Sequence, residues 1–346
     1  LFRSGGPLCR FHPNFNLIVG VNGSGKTSLL RAISVALGGW AHAYLKNDNN
    51  LRPILDSEIR EIQIEKRFDK AKNTGVKAIG TADVVDRYSN SKNDNWVQWS
   101  RRRVEGSNQT FIANTSINYG THTNYSINFD NLGSDILKYL EEGKTFNLPL
   151  IAVYECDRLW LPKTALDQTT VAKQQIARFD GYVDCFHTGA NHQAIGEWLL
   201  KHELASLQQK TETSSLRSIH AAAKAAINDC EDLRFDFEEG RVLLDFKDGT
   251  TKAFEHLSDG QRTMLGLFCD IARRAAILNP HLGEEASAKT KGVVLIDELD
   301  LHLHPKWQRR IIGDLKRIFP KIQFICTTHS PQLIGQAKPE EIILLD

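Results

Sequence analysis

A short glycine-rich segment constrains the fold of this 346-residue chain more than any other feature. The segment GVNGSGKT, from Gly20 to Thr27, fits the pattern G-x-x-x-x-G-K-S/T in full. The apolar run FNLIVG before it predicts a buried strand. The leucines and isoleucines after it recur at helical spacing, and we expect this helix to end at Gly38 and Gly39. A strand, a glycine-rich turn and a helix in this order form a cradle of backbone N–H groups that binds phosphate.

The residues of this cradle have distinct expected roles. We expect the Lys26 ammonium group to neutralise the β- and γ-phosphate oxygens of ATP as a catalytic residue, and the Thr27 hydroxyl to bind Mg²⁺. The full nucleotide-binding set predicted from this segment is Gly20, Asn22, Gly23, Ser24, Gly25, Lys26, Thr27 and Ser28. Kinases, GTPases, helicases and transporter motors all share such a cradle, so it does not by itself identify the class of nucleotide-binding protein.

Two acidic residues follow a second apolar strand. The run VVLIDELD places Asp297 and Glu298 directly after four apolar residues, which is typical of a Walker B strand. The first carboxylate is expected to hold the Mg²⁺ shell, and the second lies beside the water that attacks the γ-phosphorus. The sequence therefore predicts Asp297 as a metal-binding residue and Glu298 as a catalytic one.

The stretch LSDGQR, which begins at Leu257, distinguishes among these classes of nucleotide-binding protein. It resembles the LSGGQ signature of ABC-type ATPases, with Asp259 in place of the first glycine, and it stands ahead of a predicted helix as that signature does. Ser258, Gly260 and Gln261 would offer hydrogen bonds and a helix N-terminus to a γ-phosphate, which in that family belongs to the opposite subunit. The alternative interpretation is an ordinary N-cap at Ser258.

Further positions follow from the same resemblance. His329, after the apolar strand of ICTTHS, is similar to the family's switch histidine, which contacts the γ-phosphate and is expected to be catalytic. Asp300 resembles the D-loop residue that crosses the dimer interface beside the catalytic glutamate. His302 and His304 alternate next to Pro305, which favours a structural role over metal binding.

Two features depart from the ABC pattern. That family carries a glutamine at the end of the strand that joins its two lobes, where this chain has YECDR from Tyr154 to Arg158. The sequence therefore does not identify the residue that replaces the glutamine. The loop NPHLGEEASAKTKG is longer than its counterpart in transporter motors, which disfavours a transporter.

The order of the segments predicts the fold class. Strands and helices alternate at both ends of the chain and are interrupted between them, which indicates an α/β protein, a P-loop NTPase of ABC-ATPase type with a mixed sheet core, an antiparallel sheet and an inserted helical lobe. We expect long loops around residues 70–95 and 105–130, and two helices joined around TETSS. The expected domains are a nucleotide-binding lobe over residues 1–160, a helical lobe over 161–235, and the rest of the ATPase core over 236–346.

Composition limits the remaining possibilities. With 41% hydrophobic and 25% charged residues, and no apolar run near the roughly 20 residues that span a bilayer, the sequence predicts a cytoplasmic protein without a membrane partner. Six scattered cysteines without a C-x-x-C pair argue against a zinc site or a disulfide framework, and most are expected to be buried. The net charge of +1 does not indicate a nucleic-acid coat. One basic cluster is either a solvated helix face or a nucleic-acid contact, and it consists of Lys306, Arg309, Arg310, Lys316 and Arg317.

The motifs LSDGQRTML, VVLIDELDLHLHPKWQRRI and FICTTHSPQLI together resemble the RecF/SMC/OLD-like branch of ABC ATPases. Within that branch they look most like the stand-alone ATPases of bacterial anti-phage systems, the Septu ATPases (PtuA), including forms encoded beside retrons. The resemblance implies a homodimer or higher oligomer that sandwiches two ATP molecules with Mg²⁺, slow hydrolysis, and an HNH nuclease partner that acts on nucleic acid. A RecF-like DNA repair ATPase and a nucleotide-sensing scaffold with little turnover are the open alternatives.

Overall fold

The structure is a computed structural model that describes thirteen segments of the chain. They are residues 9–41, 52–59, 61–64, 67–70, 74–81, 96–103, 109–119, 122–126, 129–156, 177–186, 192–210, 212–227 and 229–346. The chain divides into two compact units, of which the first comprises residues 1–26, 147–181 and 187–346 and the second comprises residues 27–146 and 182–186. The domain boundaries expected near residues 160 and 235 remain predictions.

The strands in chain order are β1 Phe15–Gly20, β2 Glu61–Ile64, β3 Arg67–Lys70, β4 Thr74–Thr81, β5 Trp96–Arg103, β6 Thr110–Tyr119, β7 His122–Ser126, β8 Leu150–Tyr154, β9 Cys230–Asp236, β10 Arg241–Phe246, β11 Thr251–Ala253, β12 Gly292–Ile296, β13 Ile322–Thr328 and β14 Ile342–Leu345. The α-helices are α1 Lys26–Ala41, α2 Phe129–Glu141, α3 His192–Gln209, α4 Ser214–Ala226, α5 Asp259–Leu278, α6 Ala286–Lys289, α7 Pro305–Gln308, α8 Ile311–Ile318 and α9 Pro331–Ile334.

A five-stranded parallel sheet forms the centre of the first unit. Its strand order is β14-β1-β13-β12-β8, and every neighbouring pair is parallel. The predicted apolar runs form these strands, and all five residues of β8 are buried because a parallel sheet is covered on both faces. Parallel strands end at one edge of the sheet, where open α/β folds bind their ligands. The α/β fold class expected from the sequence is confirmed.

The remaining elements of the first unit pack around a long helix. Helix α5 buries most of its residues and packs against α4, which in turn packs against β9. The two helices expected around TETSS are α3 and α4, and the strands expected after them form the antiparallel sheet β11-β10-β9. Part of the predicted helical region, residues 164–176, lies outside the described residues.

The second unit contains antiparallel sheets that are larger than the sequence predicted. Strands β4 to β7 form one four-stranded sheet, and β2 pairs with β3 in another. The expected loops around 70–95 and 105–130 are therefore wrong over residues 74–81, 110–119 and 122–126, which are strands. Their alternation is weak because Gly, Asn and Thr occupy many positions.

The expected end of α1 at Gly38 and Gly39 is also wrong, since the helix continues to Ala41. A Cβ atom at Gly38 would lie 2.5 Å from the Arg101 guanidinium, and one at Gly39 would lie 2.9 Å from the Trp99 ring. The Arg101 guanidinium donates hydrogen bonds to the carbonyls of Val35 and Arg52. The two glycines therefore serve close packing and not helix termination.

Two further segments differ from the prediction. The expected loop NPHLGEEASAKTKG contains a 3-10 turn at Pro280–Glu285 followed by α6. The helix expected over PKWQRRIIGDLKRIF is broken into α7 and α8 at Arg310, whose backbone leaves the helical region with φ −129°. The Arg310 guanidinium donates to the carbonyls of Ala225 and Ala226 at the end of α4, so this break carries a tertiary contact.

Among the described residues, no helix combines the length and apolar character needed to cross a membrane. Five of the six thiols are buried or half-buried, and Cys9 is exposed. The expectation that most cysteines are buried is confirmed.

Candidate nucleotide-binding site

The glycine-rich loop leaves β1 at Gly20 and turns tightly before α1. The Ser24 N–H donates to the Val21 carbonyl at 3.2 Å, which closes the turn. Gly23 and Gly25 adopt φ values of +83° and +90°, in the left-handed region that favours glycine. No atom lies within 4 Å of a Cβ built at either glycine, so the backbone there faces open space.

Lys26 is the most buried side chain of this loop. It is only 6% exposed, and its ammonium group donates to the carbonyls of Gly20 and Val21, both at 2.9 Å. A lysine ammonium has three donors, so one N–H remains for a phosphate oxygen. The buried Ser24 hydroxyl has no hydrogen-bond partner among the described residues. The open backbone, the spare donor and the orphan hydroxyl fit a bound triphosphate.

The other predicted cradle residues continue into the first turn of α1. Thr27 is half-buried, whereas Asn22 and Ser28 are exposed. Because α1 begins at Lys26, the positive end of the helix dipole coincides with the loop.

Asp297 and Glu298 follow β12 at the same edge of the parallel sheet. Asp297 is 2% exposed, and its Oδ1 accepts a hydrogen bond from the Thr327 hydroxyl at 2.5 Å. Its Oδ2 accepts from the Cys156 thiol at 3.2 Å. Glu298 is half-buried with φ +48°, and its N–H donates to the Thr327 hydroxyl at 2.7 Å. The two acids are thus fixed by neighbours on the adjoining strands.

Asp300 and His329 lie at the same edge of the sheet as Asp297 and Glu298. The Thr328 hydroxyl, at the end of β13, donates to Asp300 Oδ1. The next residue, His329, is exposed. Because β13 lies between β1 and β12, His329 leaves the sheet between the glycine-rich loop and Asp297.

The Ser258 turn begins α5 as predicted. The Ser258 hydroxyl accepts from the Gln261 N–H at 3.4 Å, and the Ser258 N–H donates to Gln261 Oε1 at 3.1 Å, which forms a capping box. Gly260 is buried, and a Cβ there would lie 2.6 Å from the His302 carbonyl and 2.7 Å from the Trp307 ring. The Ser258 turn therefore packs against the segment that follows Asp300 in the same chain.

The histidines after Asp300 have structural positions. His304 caps α7, since its Nδ1 accepts from the Lys306 N–H at 3.2 Å, and His302 adopts φ +61°. No cluster able to hold a metal ion through three or more His, Cys, Asp or Glu side chains occurs among the described residues.

The basic cluster is largely engaged within the chain. Arg310 contacts α4 as described above, and Lys316 donates to both carboxylate oxygens of Glu341 at 2.7 Å. Arg317 donates to Asp314 at 2.8 Å. Lys306 and Arg309 are exposed. Arg317 remains exposed despite its pairing with Asp314, so three of the five side chains lie at the surface.

Sequence reasoning missed Cys156, Thr327 and Thr328, all of which touch predicted site residues. The two threonines directly precede His329 in ICTTHS, and Cys156 lies within the segment where a glutamine was expected. Small polar residues at the end of an apolar strand were the available signal.

The fold and the glycine-rich loop define a P-loop ATPase. The chain belongs to the AAA-domain family, since a family model described as an AAA domain matches residues 7–232. A second model, described as "AAA domain, putative AbiEii toxin, Type IV TA system", matches residues 180–335.

Individual relatives come from bacterial retron and Septu systems. The Retron Vc95 probable ATPase of Vibrio cholerae serotype O1 biovar El Tor is 28% identical over 96% of this chain and 69% of that protein. The Retron Ec83 probable ATPase of Escherichia coli is 38% identical over 39% of this chain and 27% of that protein. Septu protein PtuA of Bacillus mycoides is 45% identical over 30% of this chain and 14% of that protein. The resemblance expected from the motifs is confirmed.

Among solved structures, the SmcHead bound to the C-winged helix domain of ScpA aligns with a TM-score of 0.48 at 20% identity, over 96% of this chain and 87% of that chain.

Proposed function

We propose that this ATPase binds ATP with Mg²⁺ between two copies of the chain and works as a nucleotide-driven switch. In this proposal the switch controls a partner nuclease in bacterial anti-phage defence. The retron and Septu relatives support the defence setting. The observation that carries the nucleotide site is the carboxyl edge of the parallel sheet, where Lys26, Asp297 and His329 follow three adjacent strands.

Each side chain at this edge has a task that its geometry supports. Lys26 offers its third N–H to the β- and γ-phosphate oxygens, and Ser24 offers its hydroxyl. Asp297 would hold Mg²⁺, which neutralises charge on the phosphate oxygens when it is bound, and the Mg²⁺ role expected for Thr27 stays a prediction. Glu298 accepts a proton from the attacking water, and the exposed His329 donates to the γ-phosphate.

The second copy completes the site in this proposal. Ser258, Gly260 and Gln261 form the start of the 20-residue helix α5, whose positive dipole end attracts a phosphate. Among the described residues, the Ser258 side chain hydrogen-bonds only to Gln261. The Asp300 segment packs behind Gly260, so it would lie at the same interface. ATP bound between two copies then holds them closed, and hydrolysis releases them.

The partner is proposed from the resemblance to the Septu ATPases. It implies an HNH nuclease that acts on nucleic acid and is restrained or licensed by the ATPase. Purification of the chain with the products of its neighbouring genes, with and without ATP, tests this part. An HNH protein that co-elutes in a nucleotide-dependent manner supports it, and a nuclease whose activity ignores the ATPase contradicts it.

The substitution Glu298→Gln tests the ATPase switch. The amide keeps the shape of the side chain but cannot take a proton, so we expect turnover to fall by about a hundredfold or more while ATP binding persists. Light scattering should then show an ATP-dependent dimer. The exposed Glu340→Gln, on a distant turn, serves as a matched control and should behave as wild type. Wild-type turnover in Glu298→Gln, or a monomer at saturating ATP, would contradict the proposal.

A further inference from the structure

Strand β12 lies between β8 and β13 in the sheet, so Asp297, which directly follows β12, has a neighbouring strand on each side. Ile296, the last residue of β12, pairs with Tyr154 of β8 on one side and with Cys326 of β13 on the other. The Asp297 N–H continues this ladder, since it donates to the Tyr154 carbonyl at 2.8 Å. The Asp297 side chain therefore emerges between the ends of β8 and β13.

Each neighbouring strand supplies a donor to a different carboxylate oxygen. From β13, the fully buried Thr327 hydroxyl donates to Oδ1 at 2.5 Å. From the end of β8, the half-buried Cys156 thiol donates to Oδ2 at 3.2 Å. One donor on each oxygen fixes the rotation of the carboxylate plane, whereas a single donor leaves it free to turn.

Thr327 also ties the second acid to the first. Its hydroxyl oxygen accepts from the Glu298 N–H at 2.7 Å, and its carbonyl accepts from the Leu299 N–H at 2.8 Å. The Thr327 hydroxyl thus donates a hydrogen bond to the Asp297 carboxylate and accepts one from the Glu298 N–H, so one side chain sets the positions of both acids.

We propose that Thr327 and Cys156 are positioning residues that clamp Asp297 for binding of the divalent cation. In this inference, which rests on the proposed function, Cys156 acts from the segment where the family carries a glutamine. We expect Thr327 to contribute more than Cys156, because a hydroxyl donates a stronger hydrogen bond to a carboxyl oxygen than a thiol does. Neither residue is expected to touch ATP.

The test uses the full chain loaded with ADP, and Mn²⁺ as a paramagnetic probe followed by electron paramagnetic resonance. Thr327→Val keeps the shape but removes the hydroxyl, and we expect Mn²⁺ affinity to fall about tenfold or more. Thr327→Ser should restore it. Cys156→Ala should cost a few-fold and Cys156→Ser less, since serine keeps a donor. The Mg²⁺ concentration for half-maximal ATP turnover should shift in the same order.

A buried threonine elsewhere supplies the matched control. Thr290 is fully buried and accepts from the Asn279 amide at 3.1 Å, and Thr290→Val should leave the Mn²⁺ affinity unchanged. Thermal unfolding of every variant identifies loss of fold. Thr327→Val that folds and binds Mn²⁺ as tightly as Thr290→Val overturns the clamp. If the wild type itself binds no Mn²⁺ with nucleotide, the proposed metal site fails, and the clamp fails with it. If the wild type binds Mn²⁺ and Thr327→Val binds it with the same affinity, the clamp is wrong and the proposed metal site stands.

Discussion

Glu298 occupies a strained backbone conformation at the centre of the site. Its φ of +48° places a non-glycine residue in the left-handed region, at a cost of about 1 kcal/mol or more. Neighbouring hydrogen bonds maintain it, since its N–H donates to Thr327 and its carbonyl accepts from Leu301 at 2.9 Å. Strain of this kind is typical of residues whose position serves chemistry and not stability.

Glu203, far from these acids in sequence, should make stability depend on pH. Its carboxylate accepts from the Phe235 N–H at 2.7 Å. Burial raises the pKa of Glu203 from its ordinary value of 4.5 to about 7, and Asp232 adds to the rise. The folded state therefore binds a proton between these pH values that the unfolded state has released. The free energy of unfolding should fall as pH rises through this window, by on the order of 1 kcal/mol.

Denaturant unfolding between pH 5 and pH 8 measures this effect. Glu203→Gln keeps an acceptor for the Phe235 N–H but cannot titrate, so it should flatten the slope and be relatively more stable at pH 8. The exposed Glu238→Gln should keep the wild-type slope. An unchanged slope in Glu203→Gln would show that this carboxyl titrates normally.

At the scale of elements, two helical glycines make a matched test of close packing. Gly260 in α5 lies against the His302 carbonyl and the Trp307 ring, whereas nothing lies within 4 Å of a Cβ at Gly313 in α8. Gly260→Ala should destabilise the chain by about 1–3 kcal/mol and lower ATP turnover, because backbone atoms of His302 cannot move aside cheaply. Gly313→Ala should stabilise it by about 0.5–1 kcal/mol. Chemical unfolding measures both, and a neutral Gly260→Ala would refute the packing of the Ser258 turn.

A buried ionic network connects α5 to β8. Asp270 accepts hydrogen bonds from Arg273, Arg274 and the Tyr154 hydroxyl, the last at 2.8 Å. Burial by itself would raise the pKa of Asp270, but Arg274 and Arg273 hold it well below its usual range. The Asp270 carboxylate thus connects β8, which leads to Cys156, with α5, which begins at the Ser258 turn.

Removal of that charge should be costly. Asp270→Asn leaves two buried arginines without their counter-charge, and we expect about 3 kcal/mol or more of lost stability in urea unfolding. Asp259→Asn is the matched control on the same helix, because Asp259 pairs with Arg262 at the surface. It should cost less than about 1 kcal/mol. Equal losses in the two variants would contradict a structural role for the buried network.

The elements of the site could be predicted from sequence because their signals are local. Continuous apolar runs gave β1, β12 and β13, and capping chemistry gave the start of α5 at Ser258. The failures involve partners distant in sequence. From the sequence, Gly38 is predicted to end a helix, whereas in the structure it makes room for the Arg101 side chain. Thr327 is predicted only as a strand residue, whereas its hydroxyl also donates to Asp297. Contacts between strands leave no periodic mark in the chain.

At the scale of the whole molecule, the parallel sheet brings three motifs that are far apart in the chain to one edge. Its strands all end at one edge, so residues more than 270 positions apart in the chain, such as Lys26 and Asp297, follow strands of the same sheet. The Ser258 turn stands at the head of α5 and not on a strand end. In our proposal it serves the nucleotide of a second copy, so that each site needs two chains.

Mixing two inactive variants tests this composite site most directly. Lys26→Met removes the ammonium group from one surface, and Ser258→Arg blocks the opposing one, so each variant alone should lack turnover. In an equal mixture, half of the dimers contain one chain of each kind, and one of the two sites in such a dimer has all its parts. ATP turnover should therefore return to about a quarter of the wild-type rate. A mixture of folded variants that stays as inactive as its components would contradict a site built from two copies.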